Sequence, residues 1–544
     1  MGEVSEINLS EGQTKEETHP DVAVQQVEDN NLDYDAQRLH DLGYKQEFKR
    51  SIGFFVQFGF AFTTMAVTAE YAIGVGPALN AGGPVAMFYG WIVVAIFVTF
   101  IGLGMAEIVS GKYRKFGSLM IAFTLLILIA LIKQALPTAG GIYFWCYKLA
   151  DEKNGRFMAW MAGYVYLIGL ITAGMTLAWG GAQFLIGIIG ARTGNFEQSE
   201  GVYVGIYCAI LVLCTIVNYF GTKVTSVLNK VMIFWSLIGT ILIIVIMPAM
   251  APTHQSAKWV FTEWINNTGY SSSGTVFLVG LLQAGWTLIG YETSVQIVEE
   301  TQRADVAAPR GILLSIAGSW IQGTFLIISI LFSIQNIDDL VSCPVPIAEL
   351  FRSTTNEAVA TFLMVILFVM QIASLCNSML ANGHLMWSMA RDGCIPFSKF
   401  FYKLTGYNHT PFRCILFQTL CGIVVIMPSF GSVIFWQAIM SAAVIAINVA
   451  YGLPFFCRIV WTRNTPLRGP FSLGRASIPV NIIALVWIAF FAIILCFPSL
   501  SPVNAASMNY ASLMIGAVVL FALGFWFVNG RHHYKGPLQN VHEE

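Results

Sequence analysis

Trp286-Thr287-Leu288-Ile289-Gly290-Tyr291-Glu292 lies in the middle of an apolar run, residues 275–298, that is long enough to cross a bilayer. Gly280, Gly285 and Gly290 make that run weak helix, and Gln283, Trp286, Thr287, Tyr291 and Glu292 put polar groups at mid-depth. An ionised carboxylate there costs about 2.5–3.5 kcal/mol on insertion scales, so such an acid defaults to function. The first apolar run has a matching patch, Phe60-Ala61-Phe62-Thr63-Thr64-Met65-Ala66, followed by Thr68 and Glu70. A continuous helix gains nothing from either patch. Two interrupted spans at corresponding positions of two five-helix halves point to inverted repeats with a binding site at the bilayer midplane. Half-helix amino ends there can hold a carboxylate, while free carbonyls and carboxyl ends can hold a cation or an ammonium group.

The composition agrees with a lipid setting. Hydrophobic residues make up 56% of the 544-residue chain and charged residues 11%, an inversion of the balance of a soluble domain. A net charge of −1 gives no basic face, so no nucleic-acid partner is expected. The ten cysteines are scattered singly through apolar segments, without metal-ligand or redox spacing, so neither a metal nor a cofactor is expected. No phosphate-binding Gly-x-x-x-x-Gly-Lys-Ser/Thr loop is present, which argues against a nucleotide-driven pump. The spans carry no His, Ser or Cys constellation with catalytic spacing, so no catalytic residue is named and an enzyme is not expected.

Apolar runs of spanning length occur near 52–77, 83–109, 157–188, 203–220, 231–250, 275–298, 311–334, 357–390, 413–430, 436–459, 478–498 and 511–529. The expected fold class is therefore an all-α integral membrane protein with 12 spans. With the amino terminus in the cytoplasm, roughly 22 Lys and Arg fall inside and about 3 outside (Arg192, Lys258 and Arg352), leaving out 4 in 111–134. Both termini are thus expected in the cytoplasm, and the sequon Asn266-Asn267-Thr268 on the exterior. Residues 1–50 read as a disordered cytoplasmic tail and 531–544 as a second tail. Between them lies one transporter domain, 51–530, with repeat one at 51–250, repeat two at 275–460 and two last helices at 477–529.

Residues Phe116 to Ile132 are apolar enough to span, yet a further crossing would invert every later loop against the charge bias. They form either a native buried or re-entrant hairpin or, within 111–134, a translated unspliced intron. Gly111-Lys112-Tyr113 can be encoded with the splice-donor pattern GTAAGT. Joining Ser110 to Ala135 also restores Ala-Glu-Ile-Val-Ser-Ala-Leu-Pro-Thr-Ala-Gly-Gly. The second alternative is favoured, and sequencing transcripts across the region decides it.

In order along the chain stand Leu42-Gly43-Tyr44-Lys45, Gly82-Gly83-Pro84, Gly90-Trp91, the Glu107 to Gly141 motif with the insert removed, and Ile142-Tyr143-Phe144-Trp145. Phe261-Thr262, Thr268-Gly269-Tyr270, Gly290-Tyr291-Glu292, Glu299-Glu300, Ala308-Pro309-Arg310 and Met389-Ala390-Arg391-Asp392-Gly393 follow. In this order the chain resembles the amino acid–polyamine–organocation superfamily, within it the fungal branch of amino acid, GABA and choline permeases. The resemblance implies a leucine-transporter-type fold of two inverted five-helix repeats plus two peripheral helices. It also implies alternating access and, usually, proton coupling. The stretch Trp286 to Glu292 looks like the unwound segment of bacterial basic amino acid exchangers, whose aromatic residue and Ile line the substrate and whose Glu is a proton-sensitive relay. Two departures stand out: Thr63-Thr64-Met65-Ala66 replaces the superfamily's Gly-x-Gly, and Trp235-Ser236 stands where relatives often carry Trp-His.

The candidate substrate-binding residues are accordingly Phe62, Thr63, Thr64, Met65, Ala66, Trp286, Ile289, Gly290 and Tyr291. Glu292 and Glu70 are candidates for proton coupling or ammonium binding, Glu70 with the alternative of a snorkelling or capping residue near the outer interface. Glu107, Glu300 and Arg310 are candidates for gating or structural contacts. Tyr164, Tyr166 and Gln183 read equally as packing or site, and Asn377, Asn382 and His384 as interhelical glue. The expected function is a secondary transporter for amino acids or related amines, choline, GABA and polyamines included. The alternative is a nutrient sensor that keeps the transporter fold. The expected partners are the small-molecule substrate, protons and the lipid bilayer, with the plasma membrane ahead of an internal one and no sequence signal for oligomeric state.

Overall fold

The computed structural model describes residues 52–110, 140–404, 410–427, 433–465, 471–504 and 508–537. The tail 1–50 and the insert 111–134 lie outside the described residues. Among the described residues the chain is helical throughout, with no strand. The first run is broken into α1 (Phe54–Met65) and α2 (Val67–Ile73), with a short α3 (Val75–Asn80) beyond. There follow α4 (Gly83–Ser110), α5 (Gly141–Leu149), α6 (Gly155–Thr193), α7 (Glu200–Tyr219), α8 (Thr222–Met250) and α9 (Ala257–Thr262). The sixth run is broken into α10 (Ser273–Thr287) and α11 (Thr293–Gln296). The remainder comprises α12 (Ala304–Ser333), α13 (Ile337–Ser342), α14 (Pro346–Thr354), α15 (Glu357–Arg391), α16 (Ser398–Phe401), α17 (Phe412–Ile426), α18 (Val433–Val460), α19 (Ser477–Ile494) and α20 (Ala511–Phe525).

Nine of the described helices are long and apolar enough to cross a membrane. The shorter apolar α17 and the two broken runs complete the twelve crossings read from the sequence. Burial divides these helices into an inner and an outer set. The best apolar windows of α6 and α18 are 89% and 83% buried, whereas that of α20 is 11% buried, so α20 faces lipid while α6 and α18 line the centre. Small residues let the central helices approach closely, since lipid offers no hydrophobic drive and contact must come from packing. On α6 a methyl group at Gly180 would meet the Ile73 side chain of α2 at 2.3 Å, and one at Gly169 the Ile447 side chain of α18 at 2.8 Å.

Glu107, near the end of α4, receives the Leu473 amide (3.0 Å) and the Ser477 hydroxyl (2.5 Å), while the neighbouring Ser110 hydroxyl takes the Phe471 amide (2.6 Å). The acid therefore ties the start of α19 to α4, and Arg458 of α18 lies within its field. Glu107→Ala leaves the buried Ser477 hydroxyl and the half-buried Leu473 amide unpaired and is expected to lower stability by about 2–3 kcal/mol, read as a fall in the melting temperature of the solubilised protein. An unchanged melting temperature would remove this anchoring role.

Candidate functional site

The first helix breaks at a single residue. Ala66 adopts φ 35°, ψ 45°, a left-handed conformation that a side-chain-bearing residue enters only at a cost of about 1–2 kcal/mol. The break frees main-chain groups. Thr64 O is taken by the Ser374 hydroxyl of α15 at 2.6 Å, while the Val67 and Thr68 amides find no acceptor among the described residues.

The sixth helix breaks more widely, over Leu288 to Glu292, with Gly290 at φ +93°. At the carboxyl end of α10, the carbonyls of Trp286 and Thr287 accept no hydrogen bond among the described residues. The two breaks touch. A methyl group on Gly290 would lie 3.3 Å from Thr64 Cγ2 and 3.9 Å from the Met65 amide nitrogen. From Gln283 to Glu300 every residue is buried except Ile289, which is half-buried, so the break leaves space at that side chain.

A buried acid flanks each side of this junction. Glu70, one turn beyond Ala66, is 3% exposed, and its Oε2 accepts the Trp286 indole N–H at 2.9 Å. Oε1 is buried without a hydrogen-bond partner, and Gln371 and Ser374 of α15 lie against the carboxylate. Glu292 is fully buried and accepts the Tyr166 hydroxyl of α6 at 2.8 Å; Gln296 in turn donates to that hydroxyl at 3.0 Å. Its Oε2 and the hydroxyls of Tyr291 and Tyr451 are buried without a well-formed hydrogen bond, although the Tyr451 hydroxyl faces the carboxylate, and the Tyr291 and Tyr451 rings stand 5.4 Å apart. The amides of Gly290 and Glu292 face the same carboxylate. Buried polar atoms without a partner call for an explanation, and several of them gather around the two breaks.

The remaining sequence candidates divide between the junction and its surroundings. Thr63 Oγ1 is buried without a partner, and Thr64 Oγ1 donates to Phe60 O at 2.6 Å. Phe62 and Met65 turn toward α12 instead, Phe62 onto Gly318 and Met65 Sδ toward the Ser319 hydroxyl at 3.4 Å. Tyr164 bonds to Cys394 O, away from the junction. Asn377 of α15 bonds Asn229 of α8 at 2.7 Å.

Glu300 pairs with His384 at 3.0 Å and Glu299 with Arg391 at 3.5 Å, all four buried. The Tyr143 hydroxyl of α5 donates to Asp392, the neighbour of Arg391, at 3.0 Å. Arg310 stands half-buried on α12 and makes no ion pair among the described residues.

Gln283 was noted in the sequence only as a polar residue of the broken run. Its amide donates to Glu70 O (3.3 Å) and Tyr71 O (2.6 Å), clasping α2 to α10, and its side chain occupies the space that a Cβ at Gly74 would fill. Gln283 and Gly74 also line a cavity of about 270 Å³, together with Asn80, Asn267, Gln437 and Ser499 among others. Gln283→Ala is expected to raise reactivity at an introduced Trp286→Cys toward an exterior thiol reagent, because the cavity then opens toward the junction. Equal labelling with and without Gln283 would contradict the clasp.

The sequence pattern of the amino acid permease family matches residues 115–520. Amino-acid permease BAT1 of Arabidopsis thaliana is 28% identical over 93% of this chain and 96% of its own length. An uncharacterized amino-acid permease of Schizosaccharomyces pombe is 27% identical over 93% of this chain and 90% of its own. Amino-acid permease 2 of Neurospora crassa is 27% identical over 92% and 88%.

Proposed function

Because the chain belongs to the amino acid permease family, we propose that it moves its amino acid through the junction of the two broken helices by alternating access, driven by a proton gradient. The observation that carries this is the close approach of Gly290 to Thr64 and Met65, which sets the two helix breaks against each other inside the bundle. A zwitterion has the complementary chemistry: its carboxylate suits the free amides after Ala66, and its ammonium suits the free carbonyls ending α10.

Glu292 is the group proposed to carry the coupled proton. It sits on the unwound strand itself and is held by a tyrosine hydroxyl, so any change in that strand changes its surroundings. The ion pairs Glu300–His384 and Glu299–Arg391 form the proposed inner closure, and the Gln283 clasp the outer one. The Lys and Arg bias supports cytoplasmic termini, and the plasma membrane is the proposed site of action.

Purified protein in proteoliposomes, given a panel of labelled amino acids under an inward proton gradient, tests this. Uptake above empty vesicles that an uncoupler abolishes is expected. Uptake indifferent to the uncoupler removes the proton, and no uptake of any amino acid removes the carrier.

A further inference from the structure

We propose that Glu70 makes the site select amino compounds with a second positive charge, an ammonium or guanidinium at the end of the side chain. This rests on the carrier reading above and names the substrate class for the same site. Among the described residues the buried acids fall into two groups: those beside a Lys, Arg or His, and Glu70 and Glu292, which have none within ion-pair distance. Glu300 has His384, Glu299 has Arg391, and Glu107 has the field of Arg458. Glu70 has no Lys, Arg or His within ion-pair distance among the described residues, although it is only 3% exposed.

Its surroundings fix its position without matching its charge. The Trp286 indole donates to Oε2 at 2.9 Å, Gln371 and Ser374 lie against the carboxylate, and Gln283 donates to the Glu70 main-chain carbonyl. All four are neutral. Oε1 is left buried without a hydrogen-bond partner. A carboxylate positioned in this way, out of water and without a countercharge, is costly unless it takes up a proton or a cation arrives with the solute.

The α-ammonium of an ordinary amino acid does not need Glu70, since the carbonyls of Trp286 and Thr287 stand free at the end of α10. Glu70 lies on the other helix of the junction, bonded to the indole ring of Trp286 rather than to its main chain. A substrate that places its backbone groups on the released main chain can therefore extend a distal cation to Glu70. Glu292 is a poorer candidate for that partner because phenol rings and the Gly290 amide occupy its surroundings.

The test compares lysine with norleucine, which has a similar carbon chain and no distal ammonium, in proteoliposomes at a fixed proton gradient. For the natural protein kcat/KM is expected to favour lysine by about tenfold or more. In Glu70→Gln the lysine-to-norleucine ratio is expected to fall by at least that factor, whatever the overall rate, and in Glu70→Asp a preference for lysine should return. Norleucine transported as well as lysine by the natural protein overturns the inference while leaving the carrier intact. A ratio unmoved in Glu70→Gln, with both substrates slowed together, also overturns it and assigns Glu70 to the α-ammonium or to a proton. If neither compound nor any other amino acid is taken up, the carrier reading itself falls.

Discussion

Gly290→Ala is expected to abolish most transport while leaving the amount of protein in the membrane unchanged. Two independent obstacles act on the added methyl group. The backbone at φ +93° suits glycine, and a residue with a Cβ is strained there by about 1–2 kcal/mol. The new atom also stands 3.3 Å from Thr64 Cγ2, tighter than ordinary contact, so the two broken helices must move apart by a few tenths of an ångström. The released amides and carbonyls that grip the solute lie on those same segments, and a small displacement of positioning groups is expensive in rate. Uptake should fall by about tenfold or more, since about 1.4 kcal/mol suffices for that factor. Normal uptake in Gly290→Ala would mean that the contact of the breaks is not the site.

Glu292→Gln carries the second large effect, and it differs in kind. Glutamine keeps the shape of the side chain and can still accept from the Tyr166 hydroxyl, but it cannot gain or lose a proton. In the natural protein, uptake against a gradient should rise as the exterior is made more acidic, because more protons are available to enter with the solute. In Glu292→Gln that slope should vanish and concentrative uptake should fall by about tenfold or more, while exchange of internal for external amino acid persists. Concentrative uptake retained with its full pH slope would move the coupling to another group, with Glu70 the next to be tested.

Much of the fold was legible because its signals are local. Twenty apolar residues in a row, interrupted by Gly280, Gly285 and Gly290 around Gln283 and Glu292, announce a broken crossing without knowledge of any neighbour. The patch from Phe60 to Ala66, with Thr68 and Glu70 after it, marked the other interrupted run without fixing the residue, and the structure breaks the helix at Ala66. The partners were not legible. Trp286 and Glu70 are 216 positions apart and Tyr166 and Glu292 are 126 apart, and a lone Tyr in an apolar run reads equally as packing.

Glu70 illustrates the limit in both directions. Its sequence position left an outer-interface residue as one alternative, whereas the structure shows it buried, with its main chain held by Gln283. Tyr451 gave no signal at all within α18, since nothing in the periodicity of a helix that is buried all round distinguishes a hydroxyl facing an acid from one facing a neighbour. Glu107 had no sequence partner because its ligands, Leu473 and Ser477, belong to the start of a helix more than 360 positions away.

The most direct test is a density map of the protein with saturating lysine. The amino acid should lie between Ala66 and Gly290, its carboxylate toward the Val67 and Thr68 amides and its α-ammonium toward the Trp286 and Thr287 carbonyls. Density for the solute elsewhere, with the Gly290–Thr64 contact unchanged and empty, would contradict the account.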